Sequence, residues 1–370
     1  MVFKIAVIPG DGIGQEIVTE GIKVLQAAQE IVSGFELEFE SFNAGAELYR
    51  ETGEALPQKV FDACQASDAI YLGAIGLPDV REESGPEVGG QVMFKLRFDL
   101  DLFAGVRPFK LYQGVRSPLA NVSKIDFVVL RENIEGLFAS YGGGSVVADE
   151  VATDTLVITR KGTEKITEYA FQLALKRNGR VYDGQKMVTC TDKSNVFRSF
   201  AFFKNIFEQV ADRYKGQVQK DHVLIDAITL LLVQQPHMFD VIVTENQFGD
   251  IISDLAGALV GGMGMAPSGD IGYHHAMFQP AHGSAPTIAG KGIANPVAAI
   301  LSGRMMLDWL GDQHHHQAAK TAAAAIELAV MNTLKTGIKT VDIGGKSSTS
   351  SFGDEVVKQL QKLSNQLDHL

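Results

Sequence analysis

Asp250 and Asp254 stand four residues apart in the stretch Asn246-Gln247-Phe248-Gly249-Asp250-Ile251-Ile252-Ser253-Asp254, and in a helix that spacing stacks both carboxylates on one face. Paired carboxylate oxygens suit a hard divalent cation such as Mg²⁺ or Mn²⁺. Two solvated aspartates on an exposed helix are the plainer alternative. Arg97, Arg107 and Arg131 occur at irregular spacing; converging guanidiniums would grip carboxylates through paired N–H donors. Spacing alone does not bring them together.

Two glycine-punctuated stretches invite a nucleotide reading. Gly10-Asp11-Gly12-Ile13-Gly14 lacks the third glycine of a dinucleotide fingerprint, because position 15 is Gln15. No second strand ending in an acidic residue follows at the required distance either, so the stretch predicts a tight turn near a ligand and not a Rossmann site. Gly290-Lys291-Gly292 is not a phosphate-binding P-loop, since position 285 is alanine and no Ser or Thr follows the lysine. His314-His315-His316 reads as the solvated start of an alanine-rich helix, and His274 and His275 as surface residues in a glycine-rich turn.

The elements that must carry these residues alternate. Strands are predicted over 4–8, 69–74, 126–130, 187–190 and 239–244. Helices are predicted over 15–32, 164–176, 196–212, from 246 onward, 318–334 and 353–367. In the first helix Ile17, Val18, Val24, Leu25 and Ala28 share a face with Gly21. The stretches 73–90 and 261–296 read as loops rich in glycine and proline. Strand and helix in alternation predict an α/β fold.

A chain of 370 residues, 45% hydrophobic and 21% charged, builds a folded globular protein of two domains or one large one. Its net charge of −11 argues against nucleic acid as a partner. Cys64 and Cys190 are too few for a disulfide framework and fit a reducing compartment. No run of 18 apolar residues points to a membrane span. The apolar start, Phe3 to Ile8, is too short for a secretory signal. The expectation is a cytoplasmic protein.

From Gly10-Asp11-Gly12-Ile13-Gly14 through Asn246–Asp254 to His282-Gly283-Ser284-Ala285-Pro286 and Gly290-Lys291-Gly292-Ile293-Ala294-Asn295-Pro296, the chain resembles the β-decarboxylating dehydrogenases. These are the isocitrate, 3-isopropylmalate, homoisocitrate and tartrate/D-malate dehydrogenases. The resemblance implies a two-domain α/β fold on a shared sheet, with residues 1–102 and 260–370 forming the cofactor-binding domain. Residues 103–259 would form the metal, substrate and dimerisation domain. It further implies a homodimer with shared active sites. Arg97, Arg107 and Arg131 would clamp a malate-type dicarboxylate; Asp250 and Asp254, with Asp226 of the neighbouring subunit, would ligate Mg²⁺ or Mn²⁺. Lys193, also from the neighbour, would take the hydroxyl proton as hydride leaves for nicotinamide. His282, Gly283, Ser284, Ala285, Pro286, Thr287, Ile288 and Asn295 would form the cofactor site.

Three departures sharpen these expectations. Phe138 occupies the place of a proton-donating tyrosine, so Tyr141, or a water held by Lys193, becomes the candidate proton source for C3. Thr287 stands where NAD-preferring members carry an acidic residue; it still suits a 2′-hydroxyl, so NAD is expected, with weak exclusion of NADP. Gln91 and Met93 replace the serine and asparagine with which isocitrate dehydrogenases hold a γ-carboxylate. Val92, Met93 and Phe94 form an apolar wall for an alkyl group or simply pack. The expected substrate is of the 3-isopropylmalate type. A tartrate or D-malate substrate is the alternative, because Met93-Phe94-Lys95-Leu96-Arg97 resembles that loop, and a non-catalytic regulatory paralogue is a further one.

Overall fold

The computed structural model describes residues 1–83 and 85–367. The strands are β1 (Val2–Gly10), β2 (Glu36–Ser41), β3 (Ala69–Ala74), β4 (Ala104–Lys110), β5 (Asp126–Glu132), β6 (Ser145–Val147), β7 (Val151–Thr153), β8 (Met187–Asp192), β9 (Gln219–Leu224), β10 (Val241–Thr244), β11 (Pro267–Ile271) and β12 (Ala276–Pro280). The helices are α1 (Gly14–Ile31), α2 (Ala46–Thr52), α3 (Gln58–Ala66), α4 (Gly89–Asp99), α5 (Arg160–Lys176), α6 (Arg198–Ala211), α7 (Ile225–Gln234), α8 (Asn246–Leu259), α9 (Val297–Gln313), α10 (Gln317–Lys335) and α11 (Thr349–Leu367).

Ten strands form one sheet in the order β2-β1-β3-β12-β11-β4-β5-β10-β8-β9. The outer wings are parallel, and the centre, β12-β11-β4-β5, is antiparallel. Strands β3, β10 and β12 are buried throughout, as expected where helices cover both faces. An antiparallel centre places this sheet outside the Rossmann pattern. In the β4–β5 ladder Arg107 faces Val129, and the two-residue period puts Arg131 on that same side of the sheet.

The loop expected over 261–296 contains the hairpin β11–β12. Its residues, Pro267-Ser268-Gly269-Asp270-Ile271, are wholly buried, so they show no alternation of apolar and polar positions and resemble a loop by composition. Strands β2, β4, β6, β7 and β9 and helices α2, α3, α4, α7 and α9 are further elements beyond those expected; in α4 and α9 the apolar residues keep no single face. The histidine tract does precede α10, whose first turn is capped when His316 accepts from the Ala319 N–H. His314 and His316 also pack on Phe3, at 5.3 and 5.6 Å between ring centroids. His274 is exposed and His275 half-buried in the β11–β12 turn. Cys64 and Cys190 are buried free thiols. Among the described residues no helix is long and apolar enough to cross a membrane.

Gly21 shows how tightly α1 is seated. A Cβ there would lie 1.9 Å from the hydroxyl of Tyr71, a fully buried side chain that donates to the Ala299 carbonyl at 2.8 Å. Gly21→Ala improves helix propensity by about 1 kcal/mol. Overpacking nevertheless reverses the sign, and a net loss of about 1–3 kcal/mol is expected in urea unfolding. The loss shrinks in a Tyr71→Phe background, because the clashing oxygen is gone.

Candidate active site

Helix α8 is held against β5 by its own first turn. Glu245 caps it, accepting from the N–H groups of Gln247 and Phe248, and the buried Asn246 reaches back to the Glu135 carbonyl at 2.9 Å. Gly249 permits the close approach. A Cβ there would meet Arg131 side-chain carbons at 2.7 and 2.8 Å. Position 250 consequently hangs directly over the arginines.

The structure brings the three arginines together. Arg131 donates from Nε to Asn246 Oδ1 at 2.9 Å and from Nη1 to Asp250 Oδ1. Arg107 donates from Nη1 to the same Asp250 oxygen at 3.2 Å and to Ser253 Oγ at 2.5 Å, while its Nε is buried without a partner. Arg97 is anchored through Nε to Asp270 Oδ2 at 3.1 Å. Burial, followed by the charges of Arg107 and Arg97, pushes the Arg131 guanidinium down to about 9, against the pull of Asp250 and Asp270. Three cations that raise one another's energy in a buried site form a receptor for anionic charge.

Asp270 escaped the sequence reading. It is fully buried and also accepts from Asn133 Nδ2 at 2.7 Å and Gln279 Nε2 at 3.0 Å. The available signal was an aspartate inside a stretch that has no use for a surface charge. Asp254 lies beside Asp250; burial first, and then the Asp250 charge, raise its carboxyl above the ordinary range, although Arg107 and Arg131 pull the other way. Two crowded carboxylates with only oxygen donors fit a hard cation.

Lys193 and Asp226 meet each other, with Nζ 2.9 Å from Oδ1. This contact holds the Asp226 carboxyl below its usual range. Lys193 follows β8 and Asp226 opens α7, directly after β9. A polar clamp joins the ends of those two parallel strands: the buried Asp192 accepts from the Ser194 N–H at 2.7 Å, and His222 Nε2 lies 3.1 Å from both Asp192 oxygens. Asp192 and His222 are positioning groups that the sequence reading left out. Among the described residues of one chain, no three His, Cys, Asp or Glu side chains gather as a metal-holding group. Asp226 therefore does not join Asp250 and Asp254 within a single chain.

A second cleft borders the arginines. Phe138 lies 4.9 Å from the Arg131 guanidinium, and the Phe94 ring is 5.6 Å from Phe138 and 4.4 Å from Tyr141. Phe94, Phe138 and Tyr141 help line a cavity of about 640 Å³. Of the three residues expected to form an apolar wall, Val92 is fully buried in the core and faces away; Met93 is partly buried against that same core. Only Phe94 lines the cleft, because α4 turns the other two inward.

His282, Gly283, Ala285, Ile288 and Asn295 gather around another cleft, of about 410 Å³, together with Ile13, Gly264, Ile293 and Asp342. Pro286 and Thr287 are exposed, and Ser284 is buried, donating to the Gly76 carbonyl. The glycine turn reaches this cleft: the Ile13 N–H donates to the Ser284 carbonyl at 2.8 Å. Glu16 occupies the amides of Gly290 and Gly292 at 2.5 and 3.0 Å, so that lysine-containing loop has a structural partner. Burial holds the His282 imidazole below its ordinary pKa. Its Nε2 is buried without a partner, and such an orphaned atom fits a polar cofactor group. The Asn295 amide is committed to Asp342 and to the Val297 N–H.

A family model described as isocitrate/isopropylmalate dehydrogenase matches residues 4–356. The chain is 41% identical over 361 residues to the 3-isopropylmalate/3-methylmalate dehydrogenase of Methanocaldococcus jannaschii, covering 97% of this chain and 99% of that one. It is 37% identical to a probable tartrate dehydrogenase/decarboxylase of Bacillus subtilis, covering 98% and 99%. The crystal structure of isocitrate dehydrogenase from Methylococcus capsulatus is similar with a TM-score of 0.85 at 34% identity, covering 97% of this chain and 99% of that one.

Asp270→Asn would leave the buried Arg97 without its counter-charge. The expected cost is about 3–5 kcal/mol in guanidinium unfolding. A loss under about 1 kcal/mol would show that the pair is not what holds Arg97.

Proposed function

The chain belongs to the isocitrate/isopropylmalate dehydrogenase family, and on that premise we propose that it oxidises and decarboxylates a 3-substituted malate, with NAD as hydride acceptor and Mg²⁺ or Mn²⁺ as cofactor. The substrate proposed is 3-isopropylmalate or a close alkyl analogue. One observation carries the reading: three buried arginines converge beside a pair of crowded aspartates. Arg97, Arg107 and Arg131 balance Asp250, Asp254 and Asp270 in formal charge. A divalent cation would tip that balance to two positive charges, which a dicarboxylate neutralises.

When bound, nicotinamide supplies the hydride acceptor and the divalent cation polarises the C2 oxygen and the adjoining carboxylate. Asp250 and Asp254 would hold the cation, joined by Asp226 of a second copy. The arginines orient both substrate carboxylates, through N–H donors that Asn246 and Asp270 leave available. Lys193 of the second copy accepts the C2 hydroxyl proton. After CO₂ leaves, C3 needs a proton, which Phe138 cannot give; the Tyr141 hydroxyl, or a water on Lys193, supplies it. The cleft around His282 receives the adenosine end of the cofactor, with the exposed Thr287 at its rim to meet a ribose hydroxyl.

A second copy is supported by what one chain leaves uncovered. Leu230 and Val233 on α7 and Ile251 on α8 are exposed at 55%, 42% and 59%. The hairpin β6–β7 presents Val146, Val147 and Val151 to solvent. An apolar face beside Asp226 and Asp250 suits a homodimer that shares its active sites.

Initial rates with Mn²⁺ and either NAD or NADP, against 3-isopropylmalate, D-malate, tartrate, homoisocitrate and isocitrate, test the reading. The highest kcat/KM is expected for 3-isopropylmalate with NAD. A preference for tartrate or D-malate would move the assignment to the reading that Met93–Arg97 favours. Metal-dependent binding without NADH formation would indicate a regulatory paralogue. Tyr141→Phe is expected to lower kcat by about 10²-fold or more, and an unchanged kcat would assign the C3 proton to the water on Lys193.

A further inference from the structure

The buried face of α8 carries two polar side chains, Asn246 and Ser253, among glycine, alanine and aliphatic residues. Each serves one arginine. Asn246 Oδ1 accepts from Arg131 Nε at 2.9 Å, and Ser253 Oγ accepts from Arg107 Nη1 at 2.5 Å. Between them in sequence stands Asp250, whose Oδ1 is shared by Nη1 of both arginines. The three acceptors differ in kind. Asn246 and Ser253 are neutral and fully buried, whereas the Asp250 carboxylate is 45% exposed and open to a cation arriving from solvent. Ser253 is also fixed in what it can offer. A hydroxyl has one proton, and here it goes back along the helix to the Asp250 carbonyl at 2.8 Å, which leaves only lone pairs for Arg107.

We propose that Ser253 is a positioning residue that holds Arg107 in place while a divalent cation displaces it from Asp250, an inference that rests on Asp250 being a cation ligand. A guanidinium N–H and a hard cation compete for the same carboxylate oxygen. Once the cation takes it, Arg107 Nη1 keeps Ser253 Oγ as its acceptor. Without that hydroxyl the nitrogen is stranded: the Arg107 side chain is only 7% exposed and its Nε is already buried without a partner, so water replaces the lost bond poorly and a second orphaned donor is costly. The neutrality of the anchor matters as much as its place. A carboxylate at position 253 would also hold Arg107, but it would neutralise the charge that a substrate carboxylate needs to meet.

Calorimetric titration with Mn²⁺ alone, in the absence of substrate and nicotinamide, tests this without requiring turnover. Ser253→Ala is expected to weaken Mn²⁺ binding about ten-fold, because the displaced Arg107 then has no acceptor. Arg107→Met removes the competing guanidinium and tightens Mn²⁺ binding by itself. In that background Ser253→Ala changes the affinity by less than about two-fold, the non-additivity of residues that act through one another. Ser253→Cys, close to serine in volume and a much weaker acceptor, stands in if the alanine variant does not fold. An Mn²⁺ affinity that loss of the hydroxyl leaves unchanged, or lowers equally with and without the guanidinium at position 107, overturns the proposal and leaves Asp250 as a ligand. A wild-type protein that binds no Mn²⁺ sinks the metal reading and this inference together.

Discussion

Three guanidiniums buried within reach of one another are the constraint on which this molecule depends. Each is costly to bury and each raises the cost of the others, so the surrounding chain is arranged to hold them. Asp270 fixes Arg97 from the central hairpin, Asn246 fixes Arg131 from the start of α8, and Asp250 is shared by Arg107 and Arg131. These partners satisfy some donors without quenching the site. Burial, and after it the charges of Arg107 and Arg97, keep the Arg131 pKa depressed, and Arg107 keeps a buried nitrogen unbonded.

The antiparallel centre of the sheet follows from the same requirement. Arg107 and Arg131 lie on β4 and β5, and Asp270 on β11, which pairs with β4. One run of hydrogen-bonded strands thus carries two of the arginines and the anchor of the third. A ladder of backbone bonds holds such groups more rigidly than loops could. Helix α8 then has to approach β5 closely, and Gly249 is the residue that makes this possible.

At the other cleft the loops are stiffened by carboxylates that bind backbone and not ligand. Asp11 is buried and accepts from the N–H groups of Ala46, Glu47 and Gly76, while Glu16 gathers Gly290 and Gly292. The Gly290–Gly292 loop, which looks in isolation like a phosphate cradle, is here filled by the protein's own Glu16. The unpartnered Nε2 of His282 faces this cleft as an acceptor, because Nδ1 donates to the Gly283 carbonyl.

Local chemistry in the sequence was enough for the α/β alternation, for α1, α5, α6, α8 and the C-terminal helices, and for Asp250 and Asp254 as a facing pair, because a period of 3.6 or an i, i+4 spacing is a property of neighbouring residues. The family resemblance supplied the arginines and the cofactor stretch as sets, and Phe138 was visible at once as a residue with no proton to give. Convergence was not visible: Arg97, Arg107 and Arg131 become one site only through strand pairing and the fold of α8, which bring together residues far apart in the chain. The hairpin at Asp270 was hidden because a strand buried on both faces loses its alternation. Asp342 in the cleft around His282 and the Asp192–His222 clamp beside Lys193 were hidden for a related reason, since an isolated acid or histidine carries no mark of its partner. Val92 and Met93 point inward, and Glu82 comes to face Tyr141, only because α4 and the loop before it settle in one orientation. Side-chain direction in a short helix of weak periodicity is set by what it packs against, and that is decided by tertiary structure.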